Sequence, residues 1–213
     1  PSLRLPSNLI PQTQNVDLQK LIVETIRSNP DLIVNTIAKY NMHTNFNNIE
    51  ALVRARSTEI FAENNKLVLG NPNADVTIVE FNDYNCTYCK QMSTVLNQAI
   101  TTDHNLKIMV KEAPVFRAGS TLAAKAAIAA KRQGLYANFR SLMTNTNLPI
   151  TTSIVTQVAQ NIGLDLATFQ ADMQNPAIDN YLTKNIELAR ALGFETTPTI
   201  IISKNNGQYN QVI

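Results

Sequence analysis

Cysteine is scarce in this chain: its 213 residues contain only two, Cys86 and Cys89. Two cysteines cannot build a scaffold of several disulfides, but they can form one redox pair or supply half of a metal site. They lie three residues apart, where an apolar run gives way to a polar turn. The pair is therefore the first candidate for a functional site.

Charged residues are also few, at 16% of the chain against a usual value of about 25%. With 18 basic and 16 acidic residues the formal net charge is +2, which predicts no strong attraction to nucleic acid or to an anionic membrane. No run of 18 apolar residues occurs, so no transmembrane helix is predicted. The chain opens at Pro1 without a basic and apolar leader, which favours a mature form whose export signal has been removed.

The N-terminal third of the chain predicts an arm followed by a helical region. Residues 1–14 hold three prolines and no apolar period, which indicates an extended arm. Residues 15–65 carry three helical patterns, the last over about 49–63. About 50 residues bury little surface alone, so we expect this region to form a homodimer, with packing against the following domain as the alternative. The apolar stripes of its first two helices contain Leu18, Leu21, Ile22, Ile26, Ile33, Ile37 and Tyr40.

Residues 66–213 predict a separate domain that begins after a turn cluster at Gly70–Asp75. The run VTIVEF, at 76–81, is typical of a buried central strand. A helix is predicted over 90–100, directly after the cysteines, and a second strand over 106–115. The order strand, helix, strand is typical of a sheet with a parallel pair.

The rest of this domain predicts a helical insertion and a hairpin. Helical patterns, the first over 120–143, fill most of the insertion at about 118–191. Strands are predicted over 197–203 and 208–213, joined by the hairpin signal KNNG. The whole pattern predicts an α+β domain with a mixed sheet. Because a last strand at a sheet edge needs a cover, we expect a further C-terminal helix that this chain lacks.

A Cys-x-x-Cys pair between a buried strand and a helix points to thiol exchange. Cys86 is predicted at the helix N-terminus, where free N–H groups and the helix dipole stabilise a thiolate. Cys89 lies one turn later on the same side, close enough to attack Cys86 in a mixed disulfide. We therefore expect Cys86 to be the exposed nucleophile and Cys89 the buried resolving thiol.

Two other features accompany the pair. Glu80 lies in the apolar run; in a buried strand its carboxyl would have a raised pKa and could relay a proton to or from Cys89. An exposed position at a sheet edge is the alternative. Thr197 and Pro198 open an apolar strand, and a cis bond there would leave the Thr197 backbone free to pair with an extended peptide. An ordinary trans proline is the alternative.

These residues carry a family resemblance. The motif EFNDYNCTYCKQM, with GFETTPTIII about 110 residues later, resembles the DsbA-like branch of the thioredoxin fold over about residues 66–213. The resemblance implies a thioredoxin-like sheet with an inserted helical domain. It also implies a periplasmic or otherwise extracytoplasmic thiol–disulfide oxidoreductase with an acidic Cys86 and a cis-proline at Pro198. The residues expected to contact substrate are Thr87, Tyr88, Thr197 and Pro198.

The resemblance further implies partners and shows departures. Expected partners are unfolded or misoxidised exported proteins and a membrane redox partner that recycles the cysteine pair; no cofactor and no nucleic acid are implied. Thr87 and Tyr88 stand where the best-known oxidase has Pro-His, so one source of thiolate stabilisation is absent. Residues 15–65 resemble the oligomerising extensions of DsbC-, DsbG- and ScsC-like proteins. Thr197 before the proline resembles the isomerases.

Three alternatives compete with an exchange enzyme. A zinc site needs about four ligands, but the only histidines, His43 and His104, lack finger-like spacing, so we expect no metal. A structural disulfide would close a two-residue loop and stabilise little. The alternative that stays open is a non-enzymatic, chaperone-like binding protein on a thioredoxin-like scaffold.

Overall fold

The computed structural model describes residues 48–62, 67–116, 118–204 and 209–212. The predicted arm, the first two helices of the N-terminal region and His43 lie outside these residues.

A mixed sheet forms the centre of the fold. Its strands are β1 (Leu67–Gly70), β2 (Val76–Asn82), β3 (Leu106–Glu112), β4 (Thr199–Lys204) and β5 (Tyr209–Val212). The described strands are ordered β1-β3-β2-β4-β5; β2 and β3 are parallel, and the other neighbours are antiparallel. The predicted mixed α+β sheet is confirmed, with β2 at its centre.

Helices precede the sheet, follow β2 and fill the connection between β3 and β4. In the described residues none is long and apolar enough to cross a membrane. They are α1 (48–55), α2 (Ser57–Ile60), α3 (Thr87–Thr102), α4 (Ala118–Arg132), α5 (Tyr136–Asn145), α6 (Thr152–Asn161), α7 (Leu166–Met173) and α8 (Pro176–Ala191). Helices α4–α8 are the predicted helical insertion.

Two elements differ from the sequence prediction. No strand is predicted at Leu67–Gly70, because four residues at a sheet edge give too short a pattern. This strand pairs with β3, and the chain turns at Gly70 (φ 81°), where an added Cβ would lie 2.6 Å from the Leu106 carbonyl oxygen. The single helix predicted over 120–143 is two helices, α4 and α5, because the chain turns at Gly134 (φ 77°).

The sheet is covered on both faces, and each face has its own apolar core. The larger core joins one face to helices α3–α8 and includes Ile78 of β2. The smaller core lies on the opposite face, where Val53 of α1 and Ile60 of α2 pack with Val79 and Phe81 of β2. The last predicted helix of region 15–65 is therefore in contact with the sheet.

Candidate active site

Cys86 and Cys89 come together where β2 leads into α3. Cys86 is the N-cap residue of α3, and its Sγ accepts the Cys89 N–H at 3.3 Å. The first turn of α3 contains no acidic residue, so no neighbouring carboxylate there opposes the positive end of the helix dipole. Both thiols are free. The arrangement suits a nucleophile at Cys86 and a second thiol one turn away.

The expectation of an exposed Cys86 needs correction. The residue is only 5% exposed, and Cys89 only 1%. The reason is the backbone of Thr197, which lies directly opposite: the Cys86 thiol donates to the Thr197 carbonyl oxygen at 3.1 Å. The Thr197–Pro198 bond is cis, as the resemblance implies. In the described part of the chain, Cys86 lines the groove between α3 and this loop.

Cys89 lies deeper and is held in its thiol form. Burial raises the pKa of Cys89, and this outweighs the opposite effect of the Asp83 N–H, which donates to Cys89 Sγ at 3.5 Å. A thiol attacks disulfides as its thiolate. Cys89 therefore needs a proton acceptor before it can act as a resolving group.

An open groove of about 690 Å³ runs past Cys86. Tyr88 is 71% exposed and Phe116 53% exposed, so the groove has aromatic surface on both the helix and the loop after β3. Its lining residues are Asn85, Cys86, Thr87, Tyr88, Phe116, Thr196, Thr197 and Pro198. The structure thus brings together all four residues predicted to contact substrate. It adds Phe116, whose only sequence signal is an apolar residue shortly after a strand.

Glu80 is fully buried, so the alternative of an exposed edge position is wrong. Arg140 Nη2 donates to Glu80 Oε2 at 2.6 Å and to Ser93 Oγ at 2.7 Å. Burial raises the pKa of Glu80, and the Arg140 guanidinium opposes this in part. The predicted buried carboxyl with a raised pKa is therefore present. Arg140 gave no signal in the sequence, because it lies 60 residues further along the chain.

A second buried carboxyl, Glu112, was not predicted. Its side chain accepts hydrogen bonds from Asn82 Nδ2 at 2.9 Å, Tyr84 Oη at 2.9 Å and Tyr136 Oη at 3.2 Å. Burial raises the pKa of Glu112 to about 7, against the opposing effect of Arg140. The only local signal was a polar residue closing an apolar strand. Two buried carboxyls, Glu80 and Glu112, thus lie near one guanidinium, that of Arg140.

The described residues hold no cluster of three or more His, Cys, Asp or Glu side chains that could bind a metal ion. His104 is exposed in the turn before β3, and its backbone oxygen accepts from Asn71.

Sequence comparison agrees with this geometry. The family model described as thioredoxin matches residues 62–211, which include both cysteines, Glu80 and the cis-proline. The chain belongs to the thioredoxin family. Within that family the chain is DsbA-like, in agreement with its Cys-x-x-Cys pair at a helix start, the cis-proline opposite the pair and the helical insertion in the sheet.

Solved structures show the same relationship. A thioredoxin-like oxidoreductase from Silicibacter pomeroyi DSS-3 is 33% identical, with a TM-score of 0.67 over 72% of this chain and 87% of that one. The thiol-disulfide exchange protein α-DsbA2 from Wolbachia pipientis is 25% identical, with a TM-score of 0.70 over 78% of this chain and 89% of that one.

Curated relatives place a similar domain in much longer proteins. The Na⁺/H⁺ antiporter NhaA of Herminiimonas arsenicoxydans is 26% identical over 136 residues, which are 63% of this chain but only 22% of the antiporter. The chain therefore spans about a fifth of the length of the curated relatives it matches. The similarity therefore concerns only a part of those proteins.

Proposed function

We propose that the chain is a thiol–disulfide oxidoreductase that forms or isomerises disulfides in exported proteins, outside the cytoplasm, through Cys86 and Cys89. One observation carries the proposal. Cys86 Sγ lies at the start of α3, 3.3 Å from the Cys89 N–H and 3.1 Å from the Thr197 carbonyl oxygen, beside an open groove. That placement supplies a nucleophile, a resolving thiol and a backbone edge for a peptide.

The exchange balances as two thiol–disulfide steps. With the pair reduced, the Cys86 thiolate attacks a substrate disulfide; a Cys86–substrate bond forms, the substrate disulfide breaks and one substrate thiolate leaves. The Cys89 thiolate then attacks Cys86, forms the Cys86–Cys89 disulfide and releases the second substrate thiolate. Two electrons pass to the substrate. The reverse sequence oxidises a substrate dithiol and leaves the pair reduced.

Glu80 is the proposed proton acceptor for Cys89. The raised pKa of the Cys89 thiol requires a base, and the raised pKa of Glu80 makes its carboxylate more basic than an exposed one. Arg140 occupies Oε2, whereas Oε1 accepts no hydrogen bond from any residue that the structure describes. One carboxylate oxygen is thus available to take up a proton.

Substrate would lie along the groove as an extended peptide. The backbone of Thr197 faces the groove beside Cys86, which suits pairing with an extended chain. Thr87, Tyr88 and Pro198 would contact side chains on either side of the reacting cysteine. Unfolded or misoxidised exported proteins offer such segments, and a membrane redox partner would restore the pair.

The test is reduction of insulin and of a fluorescent peptide disulfide by the wild type, C86A and C89A. We expect C86A to fall to the uncatalysed rate and C89A to accumulate a mixed disulfide with the peptide, because its resolving thiol is gone. Val95→Ala, at an exposed position on the same helix, serves as the matched control. Peptide binding by the wild type without any exchange would instead support the chaperone-like alternative.

A further inference from the structure

Asp83 is a buried residue beside the cysteines that the exchange steps do not use. It is only 1% exposed. Its Oδ2 accepts the N–H groups of Val115 and Phe116 at 2.8 and 3.1 Å, and its Oδ1 accepts the Asn85 N–H at 2.8 Å. A carboxylate is costly to bury unless such donors surround it. The three contacts therefore give it a defined place between two loops.

The loop held by Asp83 presents apolar side chains to solvent. Val115 and Phe116 have half-exposed side chains, at 49% and 53%, yet both of their N–H groups point inward to the carboxylate. Phe116 lines the groove past Cys86, together with Tyr88. Asp83 anchors the backbone from which the Phe116 ring projects.

The main chain of Asp83 contacts both cysteines. Its N–H donates to Cys89 Sγ at 3.5 Å, and its carbonyl oxygen accepts the Cys86 N–H at 3.1 Å. One residue thus sets the position of the reacting sulfurs through its backbone and the position of Phe116 through its side chain. Asp83 therefore links the segment that holds both cysteines to the loop that carries Phe116.

We propose that Asp83 is a positioning residue for substrate selection, which holds Phe116 as an apolar wall so that the groove favours peptide disulfides with an apolar side chain beside the reacting cysteine. The inference rests on the proposed exchange function and specifies its substrate. A substrate leucine would lose water against the Phe116 ring, whereas a serine at the same position would gain nothing there.

The experiment compares two peptide disulfides that differ only in leucine or serine beside the cysteine. We expect the wild type to favour the leucine peptide by about tenfold in kcat/KM, mainly through KM. Asp83→Ala, which removes both anchors of the loop, brings this ratio close to one. Asp83→Asn retains it, because its amide oxygen can still accept the Val115 and Phe116 N–H groups. If Asp83→Ala keeps the wild-type ratio of kcat/KM between the leucine and serine peptides, the proposal is overturned, even if the rates with both peptides fall.

Phe116→Ala keeps the proposal testable if Asp83→Ala does not fold. Its side chain is half exposed, so the substitution leaves the core intact, and we expect the same loss of the leucine preference. Val95→Ala, an exposed apolar position outside the groove, retains the preference. A preserved ratio in Phe116→Ala overturns the inference. Failure of the proposed function differs from both results, because the wild type then exchanges neither peptide.

Discussion

At the scale of single residues, two buried carboxyls, Glu80 and Glu112, lie close to one guanidinium, that of Arg140. Glu80 bonds to Arg140, whereas Glu112 is held by Asn82, Tyr84 and Tyr136. A buried ion pair is tolerable, but a second buried carboxylate without its own cation is costly. The raised pKa of Glu112, about 7, reflects this imbalance. Near neutral pH this buried cluster therefore gains or loses one proton.

Glu80→Gln tests the proton relay. We expect resolution of a Cys86 mixed disulfide to slow by about a hundredfold, the usual contribution of general acid–base catalysis, with alkylation of Cys86 largely unchanged. The measurement is stopped-flow exchange over pH 6–8. Equal rates in mutant and wild type would contradict the relay.

The control for Glu80→Gln addresses the guanidinium left without its partner. Removing one member of a buried pair is strongly destabilising by itself. In Glu80→Gln/Arg140→Gln both charges are gone. If slow resolution comes from the lost carboxylate, the double variant stays slow; recovery of the rate would assign the defect to the unpaired Arg140 instead.

Glu112→Gln tests the unpaired carboxyl through stability. The pKa of Glu112 in the folded protein, about 7, lies above its ordinary value of 4.5. The stabilising contribution of this carboxyl to the free energy of unfolding is therefore fully present below about pH 4.5 and is lost as pH rises through 7. We expect the wild type to lose about 3 kcal/mol of unfolding free energy across this window relative to Glu112→Gln. Urea unfolding from pH 4 to 9 measures it. If the unfolding free energies of the two proteins change with pH in parallel, Glu112 makes no such pH-dependent contribution.

At the scale of elements, sequence pattern succeeded where the determinants are local. The run at 76–81 is strand β2 (Val76–Asn82), and the helix after the cysteines is present, although it begins at Thr87 rather than 90. Such elements can be recognised from their own residues, because these form a continuous apolar run or a periodic apolar pattern. The edge strand Leu67–Gly70 could not be recognised in this way, because it forms by pairing with β3, which lies about 40 residues further along the chain.

Contacts within the site divide in the same way. The cysteine spacing places both thiols at one helix end, so Cys86 and Cys89 could be assigned from sequence. Arg140, Glu112 and the anchoring role of Asp83 could not, since each depends on a partner at least 24 residues distant. Buried polar networks are set by tertiary packing, so no periodic pattern in the sequence indicates them.

Helices α1 and α2 are integral to the redox domain by their packing. Val53 and Ile60 are fully buried in the smaller core, where they pack with Val79 and Phe81 of β2. We expect Ile60→Ala to lower the unfolding free energy by about 2–4 kcal/mol, the usual cost of such a core truncation. Leu52→Ala, at a 39% exposed position of α1, should change it by at most about 0.5 kcal/mol. The measurement is denaturant unfolding. Equally small losses of unfolding free energy in the two variants would show that the packing of these helices on the sheet contributes little to stability.

At the scale of the whole molecule, that packing decides where a catalytic fragment can begin. The compact unit that contains the site spans Phe46–Ile213, so a fragment starting near residue 65 would strip Val53, Ile60 and Phe61 from the smaller core. A fragment starting at Phe46 keeps them. It is therefore the proper partner for the full chain in any test of what the preceding residues do.

The last prediction is that the full chain is an oligomer, most simply a dimer, through residues that precede this unit. The stripes at Leu18–Ile26 and Ile33–Tyr40 lie outside the described residues; burying such side chains contributes roughly 1.5–3 kcal/mol each, and a second copy offers them a partner. A dimer would carry two Cys86 sites on one assembly, so one could hold a misfolded substrate while the other exchanges its disulfides.

Two measurements compare the full chain with the Phe46–Ile213 fragment. Light scattering tests the dimer, and refolding of a scrambled multi-disulfide protein tests its role in isomerisation. We expect an oligomeric full chain, a monomeric fragment that still reduces insulin, and isomerisation at least about tenfold faster per site in the full chain, because pairing raises the effective concentration of the second site. A full chain that stays monomeric at tens of micromolar contradicts the dimer. Equal isomerisation by fragment and full chain would separate the dimer from any role in isomerisation, since one site would then suffice.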